Sequence, residues 1–288
     1  KGMTERTLVG PFTFPLKENP LRERRVILRR YGGNFVCAVL LLLMGYHIFV
    51  VETDWVRMGG IREVISTAAE FWPNPAFFPV IIDPLFETLL IAFWGTVLAT
   101  VFAMPVAYIC ARNTTPLYPA TYLLGRAIIV FSRSTHEFIF ALIFVSALGL
   151  GPLPGILALG FRSIGFIAKT TSELIENVNR DPIEAMEATG ANKIIVFMFG
   201  VLPQIYPIVV GNVIFQLDIN LRRASILGMV GAGGIGYVFS EQMQAYEWNN
   251  AGTVVVGIAI MVIMGEAISN RVRVRLISGG SGDSKGIE

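Results

Sequence analysis

Three sets of residues in this chain could do chemistry, and each needs a different setting. Gly231, Gly233 and Gly236, within GMVGAGGIGYVF at 228–239, have the G-x-G-x-x-G spacing by which a backbone loop cradles a pyrophosphate. That chemistry requires a buried strand before the glycines and a helix after them. Asp218, Arg222 and Arg223 interrupt one apolar run and Arg162 interrupts another. Ionisable groups in such runs are costly unless they pair, line a wet path or meet a charged ligand, and guanidinium N–H forks match oxyanions. His136 and Glu137 open a third apolar run, but neighbours in sequence point to different faces of a helix and make a poor acid–base pair.

The elements that must position these residues follow from composition. The 288 residues are 53% hydrophobic and 15% charged, with a mean hydropathy of +0.61, against about 25% charged in ordinary soluble domains. Hydrocarbon is therefore the expected solvent. Six runs approach the roughly 20 residues a spanning helix needs: 34–51, 85–111, 137–150, 153–176, 203–228 and 251–270. The third is too short alone, so it either borrows residues upstream or lies protected among other helices, and Pro105 is a candidate kink in the second. The expected fold class is an all-α integral membrane protein of six transmembrane helices.

Lys and Arg in short flanks mark the cytoplasmic side. Arg22, Arg24, Arg25, Arg29 and Arg30 precede the first span, Arg112, Arg126 and Arg133 follow the second, and Arg271, Arg273 and Arg275 follow the last. With six spans these fall on one side, so both termini are expected in the cytoplasm. The organisation reads as a basic cytoplasmic segment 1–33, a first span with an outer interfacial helix and loop over 34–84, a core over 85–277 and a disordered tail 278–288. Cys37 and Cys110 read as small buried hydrophobes, and two histidines without C-x-x-C give no metal cluster.

Between the fourth and fifth spans, 177–202 is expected to be cytoplasmic. Asp181 reads as an N-cap with Pro182 at the first helical position and Glu184 and Glu187 in the first turn, Gly190 ends the helix, and Pro203 opens the next span. Glu184-Ala185, Gly190 and Leu202-Pro203 resemble the E-A-A…G…I-x-L-P pattern of permeases in ATP-binding-cassette (ABC) importers, with Met186 in place of the second alanine and Gly200 in place of the isoleucine. HEFIFALIFVSALGLGP (136–152), EAMEATGANK (184–193) and DINLRRASILGMVGAGGIG (218–236) together look like permeases of phosphonate and phosphite importers, the PhnE-like family.

The resemblance implies a type I importer permease fold with a MetI-like core, found from about residue 85 to 270. It implies that 177–202 is a coupling segment, with Glu184, Ala185, Glu187, Gly190, Leu202 and Pro203 docking a cytoplasmic ATPase. The partners it implies are a second copy of this chain, two ATPase subunits that bind ATP and Mg, and a periplasmic binding protein, with lipid around the spans, no cofactor in this chain and no nucleic acid. A bacterial inner-membrane location follows. The chain has no G-x-x-x-x-G-K-[ST] loop of its own.

Within that reading, Arg222, Arg223, Asp218, Arg162, His136 and Glu137 are the candidate pathway residues. Two accounts fit the first three: an arginine faces the pathway, or Asp218 pairs with Arg222 at i, i+4 while Arg223 reaches outward. Arg162 either lines the cavity or neutralises Glu137 or Asp218, and His136 and Glu137 either line it or serve as an interfacial cap or a salt-bridge partner of Arg133. Gly231, Gly233, Gly234 and Gly236 read as a close-packed turn ending the fifth span and as a candidate outer gate. An importer of another solute such as an amino acid is the near alternative. An intramembrane enzyme is the remote one, since no nucleophile with a base or paired carboxylates supports it.

Overall fold

In the computed structural model of the chain, residues 20–52 and 61–280 are described, with side chains described over 31–52 and 62–274. Most of the basic segment 1–33, its arginines' side chains, and residues 281–288 of the tail lie outside these limits. The chain divides into two units between Ser66 and Thr67. The first contains α1 (Pro20–Tyr46), continued by π-helical turns over His47–Glu52. From Phe35 to Val51 its apolar side chains stand exposed, Cys37 among them, so Cys37 is not the buried hydrophobe expected. A short helix, α2 (Ile61–Glu70), straddles the boundary.

The second unit is a helical bundle. Its elements are α3 (Phe78–Cys110), α4 (Ala120–Ser134), α5 (Glu137–Leu148), α6 (Pro152–Glu176), α7 (Asp181–Ala188), α8 (Lys193–Val196), α9 (Leu202–Leu227), α10 (Ile235–Gln244) and α11 (Trp248–Gly280). The second span thus begins seven residues earlier than expected, and α4 and α10 were not anticipated. Among the described residues, four runs are long and apolar enough to cross a membrane: Tyr31–Glu52, Arg62–Cys110, Lys193–Val230 and Trp248–Val274. The pair α4 and α5 reaches that length and apolarity only together, bent by 90° at a short break, as in a broken span or a re-entrant loop. Upstream residues join the short third run across an elbow at Thr135, whose extended backbone stops α4.

The expected fourth span, α6, carries Arg162, Lys169, Glu173 and Glu176 and is not among the apolar runs. It needs less apolarity because it is the axis of the bundle, with Leu159, Ser163, Ile167, Ala168 and Ser172 inaccessible. Only lipid-facing surface must be apolar. Small residues bring α3 and α6 together: a Cβ on Gly95 would lie 2.9 Å from that of Leu159. Bulky groups such as Trp94, Phe102, Phe131 and Ile263 turn outward.

The aromatic-proline loop before α3 is pinned to the start of α11. Asn74 donates from its backbone N–H to Thr253 Oγ1 at 2.8 Å and from its amide to Asn250 Oδ1 at 3.0 Å, and Phe71 packs on Trp248.

Candidate functional site

The elbow between α4 and α5 gathers the charged residues. His136 caps α5, its Nδ1 accepting from the Phe138 N–H at 3.3 Å, which places Glu137 at the first helical position. Glu137 is only 6% exposed. Arg223 of α9 reaches its Oε1 at 3.0 Å, Arg162 of α6 its Oε2 at 3.6 Å, and His136 Nε2 lies 3.9 Å from Oε1. Arg223 thus turns inward to Glu137 instead of reaching outward, and Arg162 pairs with Glu137 and not Asp218. One carboxylate faces two guanidinium groups, leaving a net charge of +1. Both arginines retain some exposure while the carboxylate beneath is covered.

Arg162 is placed by an inserted hydroxyl. Ser132 Oγ of α4 donates to the Phe161 carbonyl at 2.6 Å and accepts from the Gly165 N–H at 2.9 Å, so it stands between the two ends of an i to i−4 step of α6. Gly165 allows this approach, since its Cβ would fall 2.6 Å from Ser132 Oγ. The same glycine packs against Arg133, about midway along α6.

A neutral network fixes the depth of both arginines and was not anticipated. Asn220 of α9 donates to Thr96 Oγ1 of α3 at 2.9 Å, and its Oδ1 accepts from Ser163 Oγ and from Gln216 Nε2, each at 3.0 Å. Gln216 also donates to Ser163 at 2.9 Å. All four side chains are buried. Ser163 adjoins Arg162, and Asn220 lies one turn before Arg223.

Asp218 and Arg222 form the expected i, i+4 pair on another face of α9, and Glu266 of α11 comes to 3.8 Å from Arg222. Arg222 edges an apolar groove of about 570 Å³ lined by residues of α9, α10 and α11, to which Arg162, Arg223 and Glu137 do not contribute. Lys169 pairs with Glu173 near the far end of α6.

The glycine run follows α9, a helix, so the strand required for a dinucleotide cradle is absent at that point. Gly231, Gly233 and Gly234 all have positive φ, and the segment is mostly buried. The Gly231 carbonyl accepts from the Gly151 N–H at 3.0 Å, and a Cβ on Gly233 would lie 2.9 Å from Pro152 N. Gly236 approaches the Ser225 carbonyl closely enough that a Cβ would overlap it. The turn therefore packs on the start of α6.

At the other end of α6, the length of its 25 residues away or roughly 37 Å at 1.5 Å per residue, Glu176 accepts from the Arg112 N–H at 3.0 Å and the chain enters 177–202. Here α7 begins one residue earlier than expected: Asn179 Oδ1 accepts from the Asp181 N–H at 3.2 Å, Asp181 is the first helical residue, and Glu187 falls in the last turn and not the first. Gly190, at φ +78°, ends it. Glu184, Ala185 and Glu187 are exposed, and neither glutamate has an ion-pair partner among the described residues. Pro203 lies in the first turn of α9, as expected, but α9 is not where the helical run begins. The helical run starts at Lys193 and passes through π-helical turns over Phe197–Val201, which accommodate the amide missing at Pro203.

The two departures from the E-A-A pattern meet in space. A Cβ on Gly200 would lie 3.3 Å from Met186 Sδ and 3.5 Å from Ile183 Cγ1, so the larger residue on α7 seats over the missing side chain on the π-helical turn. Gly200→Ile should unseat α7 by overpacking, at a cost of about 1–3 kcal/mol, and Met186→Ala in the same chain should restore it. Hydrogen exchange of the α7 amides reads this as protection lost and then regained; no recovery in the double variant would separate the two substitutions.

A family model described as the binding-protein-dependent transport system inner membrane component matches residues 103–277. The chain belongs to this family. It is a multi-pass membrane permease and a transport component, not an enzyme. The permease is 34% identical over 252 residues to the putative phosphite transport system permease protein HtxC of Stutzerimonas stutzeri, covering 87% of this chain and 89% of that one. It is 38% identical over 279 residues to the phosphate-import permease protein PhnE of Mycolicibacterium smegmatis, covering 91% of this chain and 49% of that one. A chain from an inward-facing structure of the MetNI methionine ABC transporter matches it with a TM-score of 0.61 at 22% identity, over 70% of this chain and 99% of that one. That match concerns the fold, which is the type I importer permease fold expected from the sequence.

Proposed function

We propose that the permease conducts a phosphorus oxyanion, such as phosphite, phosphate or a phosphonate, through a pathway passing Arg162 and Arg223. The observation carrying this reading is the net positive charge of Arg162, Arg223 and Glu137 at membrane depth. Charge of that sign favours an anion, and fork-shaped donors suit tetrahedral oxygens. The names of the relatives at 34% and 38% identity agree with it. In this reading two copies form the pathway, a binding protein delivers the anion from outside, and two ATPase subunits holding ATP and Mg dock on Glu184, Ala185, Glu187 and Gly190 of α7 and its turn, with Leu202 and Pro203 behind them. The permease itself holds no cofactor. Both termini then face the cytoplasm, and the glycine turn forms the outer closure of the pathway, the place of the candidate gate.

The test is uptake by the permease reconstituted in proteoliposomes with its ATPase and binding protein. Phosphite, phosphate or methylphosphonate should accumulate with ATP, and L-methionine should not; methionine uptake alone overturns the substrate assignment. Glu184→Lys should lower uptake more than tenfold, with the ATPase no longer copurifying and the permease still inserted. Uptake at the unmodified rate in that variant counts against docking on α7.

A further inference from the structure

We infer that Glu137 is a built-in stand-in for the transported anion, which holds Arg162 and Arg223 while the pathway is empty and gives them up when an oxyanion arrives. This rests on the oxyanion reading above and adds a device for release. A conduit must let go of what it admits, and two half-buried guanidinium groups facing a dianion with no competitor would hold it. Glu137 supplies the competitor at the same place. Its carboxylate oxygens are divided between the two arginines, Oε1 to Arg223 at 3.0 Å and Oε2 to Arg162 at 3.6 Å.

The arrangement has the asymmetry such exchange requires. The carboxylate is fixed: it sits in the first turn of α5, where helix N–H groups favour negative charge, and it is almost wholly covered. The arginine side chains are the more exposed partners, at 20% and 25% against 8% for the carboxylate, and Arg162 is only loosely engaged, its buried Nε lacking any hydrogen bond. An entering anion can therefore take N–H donors from the outer side without displacing Glu137 from its seat. As the anion leaves, the carboxylate recovers those donors, so the arginines are never left facing each other unpaired.

The decisive variant is Glu137→Gln, which keeps the shape and removes the competing charge. In the complete transporter it should bind radiolabelled phosphite or phosphate at least tenfold more tightly without the binding protein, while maximal uptake falls at least tenfold. A merely structural role for Glu137 would lower uptake with no gain in retention. Glu137→Gln with Arg162→Gln restores the original net charge and should bring retention back towards that of the unmodified protein; this variant carries the test if the single one does not fold. Unchanged retention in every folded variant overturns the proposal. If the unmodified transporter takes up no oxyanion, the substrate assignment falls and this inference with it. If it does take one up and Glu137→Gln behaves like it, only the inference falls.

Discussion

Valine at Gly234, or alanine at Gly236, is expected to leave little folded permease in the membrane. At Gly234 two costs add. Its φ of +72° with ψ −164° is a backbone conformation essentially confined to glycine, and an L side chain held there costs about 1–3 kcal/mol. A Cβ there would also lie 2.5 Å from Thr88 Oγ1, the atom that accepts from the Ile235 N–H at 2.8 Å and so ties the start of α10 to α3. Moving Thr88 breaks that bond and strands a buried amide, worth about 1–3 kcal/mol more. At Gly236 the obstacle is the carbonyl of Ser225, which belongs to α9 and cannot rotate away. Each change should therefore cost about 3 kcal/mol or more, a large part of ordinary stability.

Alanine at Gly211 is the control. Nothing lies within 4 Å of its Cβ and it sits within α9, so the change should be neutral or stabilise by about 0.5–1 kcal/mol. Gly190 is intermediate, with positive φ but open space. Thermal unfolding in detergent should rank the substitutions in that order. A Gly234→Val permease that melts with the unmodified protein yet fails to transport would instead assign the turn a gating role independent of stability.

What could be read in the sequence depended on whether a signal was local. Apolar runs located the main helices, and the spacing from Glu184 to Pro203 located α7 and its turn before any packing was known. Arg222 and Arg223 show where such reading ends. Arg222 meets Asp218 on its own helix, as the i, i+4 spacing allows, but adjacent residues point about 100° apart and only the rotation of α9 in the bundle sends Arg223 to Glu137. The elbow at Thr135 was illegible for the same reason, because α4 is held by Ser132 entering a turn of α6, thirty residues away. Met186 and Gly200 each looked like a departure from a pattern, and only their contact makes them one substitution of volume. Gln216 and Asn220 are different. Two neutral polar residues four apart in an apolar run are a visible sign of an interhelical network, overshadowed here by the charges beside them.

Removing that network at its hub should be the other large effect. Asn220→Ala takes away the donor to Thr96 and the acceptor shared by Ser163 and Gln216, in a place that water does not reach. Single interhelical hydrogen bonds in membranes average about 0.6 kcal/mol, but here several polar groups lose partners at once and a cavity is left. A loss of about 2–4 kcal/mol is expected. Gln216→Leu should cost roughly half as much, because Asn220 keeps Thr96 and Ser163. The double variant should then cost less than the sum of the two, since the second change removes a group the first had already stranded. Uptake adds an independent readout: with α3, α6 and α9 no longer pinned at one depth, Arg162 and Arg223 lose their common register on Glu137, and transport should fall even at temperatures where the variant stays folded. Strict additivity in unfolding, with uptake unchanged, would mean that the four side chains are held by the packing around them and do not set the depth of the arginines.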